Sequence, residues 1–188
     1  MRDDRASAAA SLVAGKLVVY PTDTLLGLGA SATNAAAVAA LLEAKDRPSG
    51  MPISIAVSSL EEVELLVDWA APERAIARRL VPGPVTLLAP ASATARRALA
   101  PALLGPDGSI GVRVPDHPVA RELARTAGPI TATSANRHGE PPCRTVAEAR
   151  RVFGSRVASY VHEGPAPSGR PSTLVDLRGR TPRVAPRS

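Results

Sequence analysis

The chain is short of cysteine, lysine and aromatic residues, and each shortage narrows what it can be. Its one cysteine, Cys143, excludes an internal disulfide and fits a reducing compartment. Nothing near Cys143 in sequence offers the base that a thiolate nucleophile needs. Aromatics make up 2% of residues, too few for a platform that stacks single-stranded RNA bases. No apolar run approaches the ~20 residues of a membrane span. The N-terminal stretch MRDDRASAAASLVAGKLVVYPTD does not read as a signal peptide: Asp3 and Asp4 occupy the would-be basic region, and Gly15 and Lys16 interrupt the apolar part. A cytoplasmic location is the expectation. The chain also lacks G-x-x-x-x-G-K-[ST], G-x-G-x-x-G and G-x-S-x-G, and His117, His138 and His162 have no metal-ligand spacing.

What the chain has is arginine. Its formal net charge is +6, which points to a polyanionic partner or substrate such as nucleic acid or a nucleotide phosphate. Lys16 and Lys45 are the only lysines. A lysine is a compact point charge with three rotatable donors, which arginine's planar fork does not imitate, so Lys45 stands out.

At 188 residues the expectation is one domain spanning 1–188. A short helix over 6–14 stops at Gly15, and KLVVY (16–20) reads as a buried strand. Asn34 caps a helix over 35–45, and Pro48 belongs to a loop over 46–51. PISIAV (52–57) is a strand. Ser58 or Ser59 caps the next helix, with Glu61 or Glu62 in capping-box spacing. Pro72 opens a helix to Leu80, and VTLLA (85–89) and SIGVRV (109–114) are strands around turns. Asp116 caps a helix that Gly128 ends. PITAT (129–133) is a strand, SANRHGEPP (134–142) a loop, and Thr145 with Glu148 boxes a helix over 146–153. Residues 157–161, 172–177 and 182–185 are strand candidates. The alternation argues for an α/β class; helix-free connections late in the chain add antiparallel pairs, giving a mixed sheet.

Ligands of open α/β sheets lie beyond the carboxyl ends of strands. The segments leaving those ends include PTDT (21–24), VPDHP (114–118) and TSAN (133–136), rich in hydroxyl, amide and charged groups. Gly27 and Gly29 would let the backbone approach a ligand or a neighbouring strand closely, or let a helix sit close.

The ordered set YPTDTLLGLGA (20–30), K-D-R-P (45–48), PGPVTLL (82–88), VRVPDHP (112–118), TSAN (133–136) and EGPAPSGRPSTLVDL (163–177) resembles the YrdC/Sua5 family, the threonylcarbamoyl-AMP synthases, in its short form. The resemblance implies a twisted open mixed sheet with flanking helices around a concave basic cavity. It implies an enzyme that joins L-threonine, bicarbonate or CO2, and ATP into threonylcarbamoyl-AMP and pyrophosphate, with Mg²⁺ carried by ATP and no metal site of its own. Partner proteins would transfer the group to a tRNA adenosine, making t6A. By the same resemblance Lys45 and Arg47 form a catalytic, ATP-binding K-x-R pair, and Ser134 and Asn136 an S-x-N pair. Ser109 and Arg183 would contact ATP, and Thr24, Arg113 and Ser172 would contact threonine. The chain departs from the pattern at Leu26, Ala56 and Pro142, and in its tail, where Arg183 and Arg187 stand for family arginines. A non-enzymatic RNA binder of the same fold, like YciO-type relatives, is the alternative. A synthase acting on another carbamoyl acceptor is a third.

Overall fold

A computed structural model of the protein describes residues 4–48, 50–179 and 181–186. Helix α1 (Arg5–Val13) starts where the Asp4 carboxylate accepts from Ser7 N–H at 2.8 Å. Strand β1 (Leu17–Pro21) follows, then β2 (Leu26–Gly29), which turns back on it antiparallel. Every residue of β1 is buried because the strand has a core on each face. Val18 and Tyr20 face a smaller core with Ala8 and Leu12 of α1, while Leu17 and Val19 face the larger one.

Helix α2 (Ala35–Ala44) is capped by Asn34, as its sequence predicts. Then come β3 (Ile55–Ala56), α3 (Leu60–Leu66), α4 (Ala71–Leu80), β4 (Val85–Pro90) and α5 (Ala93–Ala98). They are followed by β5 (Ser109–Arg113), α6 (Pro118–Ala127), β6 (Ile130–Thr131), β7 (Thr133–Ser134) and α7 (Val146–Phe153). The last strands are β8 (Val157–Tyr160), β9 (Thr173–Asp176) and β10 (Arg183–Ala185).

The fold is the expected mixed α/β class, with its strands divided between two sheets. One runs β7-β2-β1-β8, the other β10-β9-β4-β5-β3-β6, and both mix parallel with antiparallel pairs. The predicted strand over 129–133 is the joint between them. Ile130–Thr131 pairs with β3, the chain bends at Ala132, and Thr133–Ser134 pairs with β2.

Four further expectations are corrected. The strand over 52–57 contracts to two residues. Its flanks make single bonds, Ala132 N–H to Ser54 O and Val57 N–H to Arg113 O, instead of a ladder. Asp116 is exposed and does not cap α6; His117 holds that position, and Pro118 opens the helix. Helix α5, capped by Ser92, was not anticipated. Neither was β2, although its glycines do admit a neighbouring strand, through the Tyr20 ring of β1, and not a helix. A Cβ on Gly27 or Gly29 would stand 2.9 Å or 2.8 Å from the Tyr20 ring.

Candidate active site

A cleft of about 430 Å³ opens where the two sheets part at Ala132. Five residues singled out from sequence line it, each from a separate segment: Thr24 after β1, Arg47 after α2, Arg113 at the end of β5, Ser134 in β7 and Ser172 before β9. The register shows how β-pairing carries one wall, since Gly27 pairs with Tyr20 on one side and Ser134 on the other. Leu26 and Pro142, two of the departures from the family pattern, are also in the lining; Ala56 is buried within β3.

Arg113 is 6% exposed. It donates Nη1–H to Thr24 Oγ1 at 2.9 Å and Nη2–H to Asp23 Oδ1 at 2.6 Å. Its Nε is buried with no partner among the described residues. Burial lowers the Arg113 pKa, and Asp23 opposes that shift. Thr22 builds the turn beneath: its Oγ1 accepts from the Thr24 and Leu25 amides and donates to Leu25 O at 2.7 Å. This is a hydroxyl-closed turn, legible in PTDT as a type.

Lys45 lies behind the wall, 2% exposed. Its Nζ donates to Ser134 O at 2.6 Å and Asn136 O at 2.7 Å. The K-x-R and S-x-N pairs therefore meet, through lysine gripping the backbone of the TSAN loop. Ser134 Oγ donates to Asn136 Oδ1 at 2.5 Å, and Asn136 Nδ2 donates to Arg137 O and Glu140 O. Lys45 is the C-cap of α2, where the carbonyl end of the helix dipole favours a cation. Burial nevertheless brings its pKa down to about 8; nearby Arg47 lowers it further and Cys143 acts the other way. Arg47 is turned onto Met51 O and Pro52 O, at 3.1 and 3.3 Å, and burial lowers its pKa too.

Lys45 and Asn136 stand behind the lining, and two further expected residues are not brought to the cleft at all. Ser109 begins β5, about 13 Å of strand from Arg113 at 3.3 Å per residue, and its hydroxyl donates to Asp107 Oδ1 at 2.6 Å. Arg183, on β10, stands opposite Asp176 of β9 in the sheet and does not line the cleft. Arg187 lies outside the described residues. Sequence reasoning gave Asp23, the ion partner of Arg113, a structural part and no place among the site residues. It gave no sign of Gly169 and Pro171, which also line the cleft. Among the described residues no three His, Cys, Asp or Glu side chains stand together as a metal cage. No helix there is long and apolar enough to cross a membrane.

The family model for Sua5, YciO and YrdC, described as telomere recombination, matches residues 10–188. The chain belongs to this family. A Mycobacterium tuberculosis member is 42% identical over 180 residues, 95% of this chain and 81% of that protein. A threonylcarbamoyl-AMP synthase of Chromohalobacter salexigens is 38% identical over 178 residues, which is 94% of both chains. Among solved structures, P. abyssi Sua5 complexed with L-threonine superposes with a TM-score of 0.86 at 33% identity, over 97% of this chain and 54% of that one. The chain thus spans about half the length of that Sua5.

Proposed function

We propose that this family member is a threonylcarbamoyl-AMP synthase, a nucleotidyltransferase acting on L-threonine, CO2 or bicarbonate, and ATP. The observation that carries the reading is the gathering of Thr24, Arg47, Arg113, Ser134 and Ser172, from five segments, around one cleft. The relative from C. salexigens, matched over nearly its whole length, bears the same activity in its name.

The chemistry explains why cations and few other groups are needed. The threonine amine attacks CO2, forms the N–C bond and releases a proton; if bicarbonate is the source, water leaves and no net proton is released. A carbamate oxygen then attacks the α-phosphorus of ATP. The bond from that phosphorus to the bridging oxygen breaks, and pyrophosphate departs with the electron pair. Nucleophile and electrophile are both anionic and repel unless positive charge holds them together. The remainder of the task is positioning, as in other phosphoryl transfers.

In this reading the Arg113 guanidinium holds the threonine carboxylate, and Thr24 and Ser172 hold its polar groups, which their positions in the cleft lining support. Arg47 and Ser134 face the nucleotide side, with Lys45 adding positive charge from behind and holding the loop that presents Ser134. Mg²⁺ arrives as the counter-ion of the triphosphate, and no residue is assigned to it. Ser109 and Arg183 take no part in this reading. The product, a mixed anhydride, is passed to proteins that acylate a tRNA adenosine in the cytoplasm.

The test incubates the protein with ATP, Mg²⁺, bicarbonate and L-threonine and measures pyrophosphate. Release that requires threonine is expected; release indifferent to threonine overturns the reading. Salt-sensitive tRNA binding without adenylate would favour the RNA-binding alternative, which the matches to synthases do not favour.

A further inference from the structure

We propose that His117 is a positioning residue for the amino-acid end of the cleft, acting through the strap formed by residues 163–172. The proposal rests on the synthase reading above for the substrate and on the geometry for the latch.

The His117 ring is 2% exposed and lies under the strap, with Nε2 3.1 Å from Pro165 O. A carbonyl only accepts, so in this contact Nε2 is the donor. Nδ1 is buried with no partner among the described residues. A histidine that only filled space would be replaced at lower cost by phenylalanine, because an unpaired buried nitrogen is expensive. What phenylalanine cannot supply is the bond to Pro165.

The strap is shaped to receive that bond. Gly164 has φ +85°, and a Cβ there would stand 2.7 Å from His117 Cε1, so the backbone passes close against the ring. Pro165, Pro167 and Pro171 have no N–H, and the strap is largely exposed, so a few contacts hold it. Glu163 pairs with Arg5 at 2.6 Å. Four residues after Pro165, Gly169 N–H donates to Thr24 O at 2.8 Å, and Ser168 N–H to Asp23 O at 3.2 Å. Gly169, Pro171 and Ser172 then form part of the cleft wall. The relay runs from His117 to Pro165, to Gly169, to Thr24, whose hydroxyl accepts from Arg113. His117 touches no reacting atom; it fixes where the strap meets Thr24.

The test compares His117→Phe, which keeps the ring and loses the donor, with His117→Gln, whose amide restores one at similar reach. Losing one hydrogen bond of ordinary strength predicts roughly tenfold faster amide exchange at Gly169 in the Phe variant, with β1 amides unchanged. It also predicts a KM for L-threonine raised about tenfold, with kcat and the KM for ATP within about twofold. The Gln variant should recover most of both. Unchanged Gly169 exchange in the Phe variant, equal losses in both variants, or lost kcat at unchanged threonine KM overturns the proposal. If the Phe variant does not melt cooperatively, Gly164→Ala pushes the strap off the ring from the exposed side and carries the same expectations. A wild-type protein that does not turn over threonine overturns the synthase reading instead, and Gly169 exchange alone then decides the latch.

Discussion

Arg113 Nη2 sits 2.6 Å from Asp23 Oδ1 in a buried ion pair, and the pair leaves Asp23 Oδ2 and Arg113 Nε without partners among the described residues. Both groups are largely out of water, so neither tolerates the loss of the other. Asp23→Ala strands a buried guanidinium and should cost about 3–5 kcal/mol of stability in urea melts. Asp23→Asn keeps the shape and one acceptor and should cost less. Both should raise the KM for threonine, because the fork of Arg113 is no longer aimed. An Ala variant within about 1 kcal/mol of wild type would show that the carboxylate is not holding the arginine.

Lys45 makes a prediction with two signs. Its pKa is lowered from 10.5 to about 8 in the folded protein, chiefly by burial. Between those values the unfolded chain binds more protons than the folded one, so this group's contribution to stability rises with pH across that window. The rise is at most about 3 kcal/mol. Activity should move the other way and fall above pH about 8, as the ammonium charge near the nucleotide is lost. Lys45→Met, which cannot titrate, supplies the baseline: the stability of wild type relative to it should grow from pH 7.5 to 10, measured by urea melts. At pH 7 the variant should lose on the order of 10² in kcat/KM, the scale of removing one aimed electrostatic group. A wild-type profile flat through pH 8 to 10 in both readouts would refute the assignment.

What could be read from the sequence divides along the range of the interactions. Caps are local, and Asn34, Ser59 and Thr145 each accept from the amide three residues on, as their spacing predicts. The hydroxyl-rich ends of β1 and β7 were visible for the same reason. Strand β2 was not, because two glycines in four residues read as a turn until Tyr20, placed opposite by pairing, shows what space they clear. Lys45 could be picked out as an odd residue, but its hold on carbonyls 89 and 91 positions away could not. Ser109 lies in the same strand as Arg113 and was grouped with the site on resemblance; strand length then carries it to the far end.

Asp176 offers an acid-side test away from the cleft. Arg178 donates Nε–H to Asp176 Oδ1 at 2.9 Å and Nη2–H to Oδ2 at 2.8 Å, and also bridges to Asp107. These bonds hold the Asp176 pKa at about 2, against the opposing effect of burial. The stabilisation is present above the ordinary value of 3.8 and is lost as pH falls from there toward 2. Arg178 is 37% exposed, so solvent screening limits the gain to about 1 kcal/mol. Asp176→Asn should cost that much at pH 7, and the gap to wild type should close as pH approaches 2 in urea titrations. A gap that is the same at both ends would assign the effect to packing.

The contact of Gly29 with Tyr20 tests whether the floor of the site is set by shape. Tyr20 is fully buried and lines the cleft, and its hydroxyl donates to Thr131 O at 2.9 Å. That bond ties β1 to β6, the strand of the second sheet that precedes the bend at Ala132. A Cβ on Gly29 would meet Tyr20 Cε1 at 2.8 Å, and a ring bonded at its far end cannot slide away freely. Gly29→Ala should therefore cost about 1–3 kcal/mol, the usual range for overpacking a filled core. Tyr20→Leu removes the ring and should itself cost a few kcal/mol. In the double variant the added methyl meets open space, so its separate cost should nearly vanish, giving a coupling energy of about 1–2 kcal/mol in a thermodynamic cycle. Tyr20→Phe keeps the ring and frees it from Thr131, so the alanine should cost less there than in wild type. Equal costs of Gly29→Ala in all three backgrounds would mean that the glycine is required for its backbone and not for the ring above it.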